Sequence, residues 1–278
     1  MTTITGPQSS SSKLLIYADN NSTIDLSSLA GINTSNGQVW LTSDEGVITV
    51  GDAVINGNTW ATARSMTSDV SFGDLTVASN QMTMTGRIKA DSYIQTGGTL
   101  RAMIGGPVAG TGHAQLEVDQ AAALGGRLEL ALTNSYSPIA YSQVTVLTSS
   151  ALNGTQFDSI SGVVYASGRG FAVTYTANDV LVTAAMLGDI DLDGDVDDSD
   201  LGTLFSNYTG PVGVAGGHSW VFGDIDGDGD GDDSDLGTAF SNYTGPLSPT
   251  SVPEPGSVAL LAIASGLAFP RRRRRLNV

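Results

Sequence analysis

Two Asp-rich segments offer the clearest chemistry in this sequence. Each is twelve residues long and holds seven Asp residues, at positions 189–200 and 224–235. In a calcium loop, oxygen ligands come from positions 1, 3, 5, 7, 9 and 12, and a glycine at position 6 makes the sharp turn. Gly194 and Gly229 stand at that position. The spacing therefore predicts one calcium ion in each loop.

The predicted side-chain ligands stand at positions 1, 3, 5, 9 and 12, whereas position 7 is expected to offer only its backbone carbonyl. In the first loop they are Asp189, Asp191, Asp193, Asp197 and Asp200, with Asp195 at position 7. In the second loop they are Asp224, Asp226, Asp228, Asp232 and Asp235, with Asp230 at position 7. A solvated acidic linker is the alternative reading. Such a linker has no reason to repeat the turn glycine and the apolar residue after position 12 in both copies.

The loops belong to an internal repeat, in which residues 188–211 match residues 223–246 at 21 of 24 positions. After each loop, apolar residues spaced i, i+3, i+4 and i+7 predict one face of a short helix. The two sets are Leu201, Leu204, Phe205 and Tyr208, and Leu236, Ala239, Phe240 and Tyr243. Gly210 and Gly245 then end the helices. The segments before the loops are too short or too rich in glycine to predict another helix.

A calcium loop followed by one helix, given twice, is similar to the dockerin type I module, and the resemblance covers residues 188–245. It implies a small α module that binds two calcium ions and presents its helices to a cohesin-like partner. The helix positions that would contact that partner hold Phe205-Ser206 and Phe240-Ser241. Because the Lys-Arg pair of the family is missing there, the resemblance implies calcium binding more directly than cohesin binding.

Residues 1–187 read as short β segments, in which polar and apolar residues alternate between turns such as Asn56-Gly57 and Gly97-Gly98. We expect a parallel β-solenoid for much of residues 15–120, because the strands are short and poor in aromatic residues. A β-sandwich stays open as the alternative. Residues 115–185, with the motifs Gln-Leu-Glu-Val-Asp at 115–119 and Leu-Gly-Gly-Arg-Leu-Glu-Leu at 124–130, resemble the closing segment of autotransporter-like β-solenoid passengers. That resemblance implies the capping end of a solenoid.

Composition excludes several classes of function. The chain has no cysteine, which excludes disulfides, thiol catalysis and iron–sulfur centres. The acidic residues number 28 against 12 basic ones, and half of the acids lie in the two loops. No basic patch predicts a nucleic-acid partner.

We expect no enzymatic activity. The two histidines, His113 and His218, are expected to be solvated, and neither belongs to a triad or a metal site by its sequence neighbours. Glu117, Asp119 and Glu129 could supply a glycosidase pair, yet acids of this kind are common on polar strands. Trp220 is expected to pack between the two loop–helix units rather than to bind sugar.

The C-terminal segment combines three features in a fixed order. These are the motif Val252, Pro253, Glu254, Pro255; the apolar run 256–269; and the cluster Arg271, Arg272, Arg273, Arg274, Arg275. This order resembles the PEP-CTERM sorting signal, and the resemblance implies an exosortase-type protease as partner. It implies transient anchoring in the inner membrane through the C-terminal helix, cleavage near the Pro-Glu-Pro motif, and transfer to the cell surface or the extracellular space. Residues 1–12 lack the apolar core of an export signal, so we expect a start site further upstream.

The sequence thus predicts a mainly β chain with four parts. These are a β-rich region (1–187), a dockerin-like tandem calcium module (188–246), a linker (247–255) and a hydrophobic sorting helix with a basic tail (256–278). The expected function is that of a non-catalytic calcium-binding surface or matrix protein, structural or adhesive, which binds a matrix partner. The alternative is a dockerin-bearing component of an extracellular assembly that degrades or binds polysaccharide.

Overall fold

A computed structural model describes residues 2–213 and 218–245 of the chain. The first ten strands are β1 (Thr2–Thr5), β2 (Lys13–Asp19), β3 (Thr23–Leu26), β4 (Leu29–Asn33), β5 (Gln38–Asp44), β6 (Val47–Val50), β7 (Ala53–Ile55), β8 (Asn58–Ala63), β9 (Asp69–Val77) and β10 (Gln81–Thr85). The next ten are β11 (Arg87–Gln95), β12 (Thr99–Ile104), β13 (Gln115–Val118), β14 (Ala122–Ala123), β15 (Arg127–Leu132), β16 (Gln143–Thr148), β17 (Ser159–Ser161), β18 (Val164–Ala166), β19 (Arg169–Tyr175) and β20 (Asp179–Met186). Helices α1 (Asp198–Asn207) and α2 (Asp233–Ser241) follow, with a short 3-10 turn at Trp220–Phe222 between them.

The strands form a β-solenoid of about five turns. One sheet has the order β17-β15-β12-β10-β8-β5-β2. The other has the order β1-β4-β7-β9-β11-β13-β16-β20-β19-β18, and β3, β6 and β14 lie beside this path. Pairing is parallel from β1–β4 to β15–β17. The prediction of a β-solenoid is confirmed, and the β-sandwich alternative is not observed.

In-register columns of apolar side chains explain why the coils stack. In one sheet, Val39, Thr59, Met82, Leu100 and Leu128 occupy the same position on five neighbouring strands, and all are buried. In the other sheet, Ile48, Val70, Ile88 and Leu116 form a matching column. Since alternate residues of a strand point to opposite faces, these columns fill the space between the two sheets. A low aromatic content is sufficient because isoleucine, valine, leucine and methionine side chains fill this narrow interior.

The corner at Gly86 requires glycine. Its φ is +79°, and a Cβ atom built there would lie 1.8 Å from the carbonyl oxygen of Ala63. A side chain would therefore both strain the backbone and collide with the coil below it.

The parallel ladder stops at the C-terminal end of the solenoid. There β20 pairs antiparallel with β16 and with β19, and β18 pairs antiparallel with β19. These antiparallel strands lie within the segment whose sequence predicted a closing end. The loops and helices that follow then pack against this end.

Replacing Ile88 by alanine should lower the free energy of unfolding by about 2–5 kcal/mol, because a buried aliphatic side chain is lost and a cavity remains. Ile94, on the same strand, is a matched control since 44% of its surface is exposed. Ile94→Ala should cost well under half as much. Urea denaturation followed by circular dichroism measures both variants, and equal losses would argue against the column packing.

Residues 246–278 lie outside the described part of the chain. The predicted linker, the motif at residues 252–255, the sorting helix and the Arg cluster therefore stay predictions. Within residues 2–213 and 218–245, no helix has the length and apolar character needed to cross a bilayer.

Candidate metal-binding loops

The two Asp loops begin directly before α1 and α2, and their own residues start these helices. Asp197 and Asp232 are the N-caps, and each side chain accepts a hydrogen bond from the backbone N–H of the serine two residues later, at 2.7 Å. The position-12 residues complete a reciprocal capping box. Asp at an N-cap and near a helix N-terminus stabilises the helix. Positions 9 and 12 of each loop therefore have two roles, in the cap and in the acidic cluster.

Asp200 closes the first loop through three backbone hydrogen bonds. Its Oδ1 accepts from the N–H groups of Ile190 at 2.6 Å and Asp191 at 3.2 Å, and its Oδ2 accepts from Asp197 at 2.8 Å. Asp235 repeats the pattern in the second loop with Ile225, Asp226 and Asp232. Both carboxylates are fully buried. The chain thus brings the last acid of each loop against its first turn.

The position-1 residues are also buried and are held by the loop's own amides. Asp189 accepts hydrogen bonds from Asp193 and Gly194, at 3.1 and 3.2 Å. Asp224 accepts from Gly227 at 2.7 Å and from Gly229 at 3.1 Å. Gly194 and Gly229 have φ values of +112° and +101°, the left-handed conformation that the predicted turn requires.

Four groups of three Asp residues could each hold a metal ion. Within each group, one carboxylate oxygen per residue lies within 4.8 Å of the others. The groups are Asp189, Asp191 and Asp200; Asp195, Asp197 and Asp200; Asp224, Asp226 and Asp228; and Asp230, Asp232 and Asp235. Of the twelve predicted residues, eleven belong to these groups, and Asp193 is the one outside them in the described part of the chain. The carboxylates of Asp195 and Asp230 lie inside them, although only their carbonyls were expected to take part.

Burial changes the acidity of these groups in the folded, metal-free chain. Removal from water raises the pKa of Asp224 to about 7 and that of Asp235 to about 6, and neighbouring carboxylates add to both shifts. Burial likewise raises the pKa of Asp189 and of Asp200. By contrast, hydrogen bonds from Ser199 lower the pKa of the half-buried Asp197. Buried, mutually repelling carboxylates favour a neutralising proton or cation.

The stability of the loop–helix units should therefore depend on pH, and the direction of this dependence should differ with and without calcium. The raised pKa values mean that the folded chain binds protons more tightly than the unfolded chain, whose Asp residues titrate near 3.8. In EGTA this contribution to stability is fully present below pH 4 and is lost as the pH rises through 6 and 7. In EGTA the helical signal at 222 nm should therefore fall as the pH is raised from 5 to 7.5. With calcium the trend should reverse, because the ion binds ionised carboxylates.

The combined substitution Asp224→Asn and Asp235→Asn should flatten both profiles, whereas the same change at the exposed Asp198 and Asp233 should not. If stability changed with pH in the same direction in EGTA and in calcium, these expectations would be wrong.

A small core cluster joins the loops to the end of the solenoid. Trp220 is 2% exposed, and its Nε1–H donates to the carbonyl of Asp189 at 2.8 Å. The cluster contains Val163, Ala172, Ala185, Leu187, Ile190, Leu204, Trp220, Ile225 and Ala239. Residues of the solenoid end and of both loop–helix units therefore share one interior. Trp220 is buried in the same cluster as residues of both units, and its hydrogen bond is to the first loop.

Tyr141 is a residue of this site that the sequence did not indicate. It lies in the solenoid region, and its hydroxyl donates to Oδ2 of Asp189 at 2.6 Å. Burial and the Asp189 carboxylate raise its pKa. The contact joins positions 48 residues apart in sequence, so no local motif could have revealed it.

The two loop–helix units exchange contacts in a pseudo-symmetric way. The Tyr208 hydroxyl donates to Asp233, and the Tyr243 hydroxyl donates to Asp198 at 2.9 Å.

The predicted apolar helix faces need correction, since only Leu204 and Ala239 of those sets are buried. Phe205 and Phe240 are 56% and 55% exposed, with ring centroids 6.4 Å apart. Leu201 and Leu236 are half-buried and pack against the same core cluster, so the aromatic positions are the ones that remain at the surface.

The other residues considered for chemistry lie apart from the loops. Glu117 pairs with Arg87 in one sheet at 3.0 Å, and Glu129 pairs with Arg101 in the other at 3.2 Å, so they do not form a carboxylate pair. His113 is buried rather than solvated, which corrects the expectation. Burial lowers the pKa of its imidazole.

No family model, curated protein or solved structure matches this chain.

Proposed function

We propose that the two Asp loops bind one calcium ion each and that the protein is a calcium-stabilised, non-catalytic structural or adhesive protein. One observation carries the proposal. In both loops, the acids of positions 1 and 12 are buried, are held by backbone amides, and converge with other carboxylates within 4.8 Å. Burial of so many like charges is unfavourable unless a cation neutralises them.

The donor set fits calcium. All the available ligands are oxygens, which a hard cation prefers, and the absence of cysteine leaves no thiolate ligand. The buried Oδ1 atom of Asp230 has no hydrogen-bond partner among the residues that the structure describes, and a cation would satisfy it. The residues that would hold the first ion are Asp189, Asp191, Asp195, Asp197 and Asp200, and those that would hold the second are Asp224, Asp226, Asp228, Asp230, Asp232 and Asp235.

Calorimetric titration of the EGTA-treated, dialysed chain with calcium tests this proposal. We expect two ions per chain, and weaker binding of magnesium, which demands a stricter octahedral geometry. Asp235→Asn should remove or weaken one site. Asp233→Asn, which removes the same charge from an exposed position of the same loop, should leave two. The absence of calcium binding would overturn the proposal.

We further propose that the chain is sorted to the cell surface or the extracellular matrix through its C-terminal signal. The support is the order of Pro-Glu-Pro motif, apolar run and Arg cluster at residues 252–275. An exosortase-type protease would cut near the motif after transient anchoring in the inner membrane. In a host with such a protease, Pro253→Ala combined with Pro255→Ala should keep the chain in the membrane fraction, whereas Ser251→Ala should not. Identical distributions of the two variants would refute the sorting role.

A docking role is the second candidate, and the exposed Phe205 and Phe240 pair favours it. Aromatic residues are enriched where proteins bind one another. In this role the dockerin-like module would attach the chain to a cohesin-like partner in an extracellular assembly that degrades or binds polysaccharide. Capture by immobilised cohesin modules in calcium, lost in EGTA and in the Phe205→Ser, Phe240→Ser variant, would support it. Val212→Ser changes an exposed apolar residue outside the helices and serves as the control.

A further inference from the structure

A pocket in the antiparallel end of the solenoid is separate from the calcium loops. It lies between residues 137–140 and the hairpin of β18 and β19, and its volume is about 230 Å³. Its lining residues are Ser137, Pro138, Ala140, Tyr165, Ala166 and Arg169. Ser137, Ala140 and Ala166 are exposed, so a ligand can reach the pocket from the surface. None of the lining residues belongs to the four Asp groups.

Arg169 supplies the positive charge of this pocket. Its Nη1 atom is buried and has no hydrogen-bond partner in residues 2–213 and 218–245. By contrast, Arg64, Arg87 and Arg101 each form an ion pair with a carboxylate. A buried charged group without a partner is unfavourable, and the chain has 28 acidic residues that could have supplied one. An anion from outside the described chain would satisfy this guanidinium.

Two tyrosines lie close to the guanidinium. Burial raises the pKa of Tyr165 and of Tyr141, and the positive charge of Arg169 opposes both shifts. The Tyr141 hydroxyl donates to Asp189, so it is already engaged with the first loop. The Tyr165 ring packs at a tilt on Phe171, with centroids 4.7 Å apart, and this contact fixes its orientation. The pocket therefore combines a cation, an aromatic ring held in place and the hydroxyl of its exposed serine.

We propose that this pocket binds a sugar that carries a carboxylate, such as a uronic acid residue of a polysaccharide. A guanidinium binds both oxygens of a carboxylate through two parallel hydrogen bonds. The Tyr165 ring offers an apolar surface to the C–H groups of a sugar, and the Ser137 hydroxyl both donates and accepts hydrogen bonds. The pocket is smaller than the roughly 300–1,000 Å³ that enclose a drug-sized molecule, so it fits one ring.

The polar groups of the pocket select this ligand class. Arg169 is the one cation among the described lining residues, whereas a phosphate group carries nearly two negative charges at neutral pH. The C-terminal carboxylate of a peptide is held by backbone amides where proteins recognise it. Beside this pocket, the amides of Tyr141 and Ser142 already donate to the carbonyls of Ala184 and Ile139. A sugar carboxylate requires only the guanidinium and the hydroxyl groups.

Calorimetric titration of the full chain in calcium tests the site with two sugars that differ in one group. Methyl glucuronide has a carboxylate where methyl glucoside has a hydroxymethyl group. We expect the glucuronide to bind about tenfold or more tightly, because its carboxylate alone pairs with Arg169. Glucose 6-phosphate and N-acetylglycine, which resembles a peptide C-terminus, should both bind more weakly than the glucuronide. Equal binding of the two sugars, or tighter binding of either of the other two probes, would overturn the proposal.

Substitutions of Arg169 identify the residue that holds the carboxylate. Arg169→Gln should weaken glucuronide binding about tenfold or more and leave glucoside binding unchanged. Arg169→Lys keeps the charge but loses the planar fork, so its affinity should be intermediate. Arg127→Gln removes an arginine outside the pocket, whose side chain donates to Ser159, and should bind the glucuronide like the wild type.

The same variants separate this proposal from that of the calcium loops. Since Arg169 has no ion pair to lose, its variants should keep the circular dichroism of the wild type and bind two calcium ions. Unchanged glucuronide affinity in Arg169→Gln would overturn the sugar site whatever the calcium result. An equal loss of affinity in Arg127→Gln would overturn it as well, because the binding would then follow the overall charge of the chain.

Discussion

Removal of calcium with EGTA at pH 7.5 is expected to unfold α1 and α2 while the solenoid sheets persist. Each loop concentrates seven Asp residues in twelve positions, and the buried acids of positions 1 and 12 lose their counter-ion. At a free calcium concentration a hundred times the dissociation constant, one site stabilises the folded form by about 2.7 kcal/mol. The helical signal at 222 nm and the near-ultraviolet signal of Trp220 should fall together and return when calcium is restored.

Two variants of α1 make this expectation specific. Asp200→Asn removes charge from a buried carboxylate that accepts three backbone hydrogen bonds. We expect this change to cost about 1.5–3 kcal/mol in calcium-loaded stability, the range for hydrogen bonds to charged groups. Asp198→Asn removes the same charge two residues away, where the side chain is exposed and accepts from Tyr243, and should cost less than about 1 kcal/mol. Helices that persist in EGTA, or equal effects of the two variants, would contradict the model of a calcium-dependent fold.

Replacing Trp220 by alanine should have the second large effect, a loss of about 3–5 kcal/mol in the stability of the loop–helix module. The indole is 2% exposed and lies in the cluster that contains residues of both loops and of the solenoid end. Its loss would also free the carbonyl of Asp189 and so disturb the first loop. Urea denaturation at saturating calcium, followed at 222 nm, measures the effect.

Trp220→Phe tests the hydrogen bond with a smaller loss of packing, because it keeps an aromatic ring and removes the N–H donor together with part of the indole volume. It should cost about 0.5–1.5 kcal/mol. Trp40 is half-buried and stacks on Trp60 with centroids 4.6 Å apart. Trp40→Ala should leave the helical transition unchanged, and a shift of that transition would show that the two regions unfold as one unit.

The loops were predictable because their determinants are local. The ligands, the turn glycine and the capping residues all lie within twelve consecutive positions, so the local sequence determines the conformation of the loop. The solenoid was predictable as a class but not in its register. Lys13 pairs with Gln38 whereas Thr99 pairs with Arg127, and such unequal coil lengths hide the repeat from any fixed-period search.

Contacts between distant segments account for the errors. The periodicity of α1 and α2 predicts which apolar residues share a helix face but not how many of them a small module buries, and Phe205 and Phe240 are exposed. His113 was expected in solvent, yet its imidazole lies beside the carbonyl of Gly106, with the two atoms 3.3 Å apart. The glycine-rich segment before it folds back over the solenoid corner. Tyr141 reaches Asp189 only because the solenoid ends where the loops begin.

The stacking of coils also determines where this molecule comes apart. A coil that packs only on the coil before and after it belongs to a linear array, whose free energy is a sum over adjacent pairs. A terminal coil has one neighbour, so local unfolding on heating starts at the terminal coils and proceeds inward. At the C-terminal end, the amide of Ile160 donates to the carbonyl of Gly227 at 2.6 Å, and this contact joins the last coil to the second loop. Calcium in that loop would therefore stabilise the C-terminal end of the array. With calcium bound, local unfolding would start at the β2 end alone; without calcium, it would start at both ends.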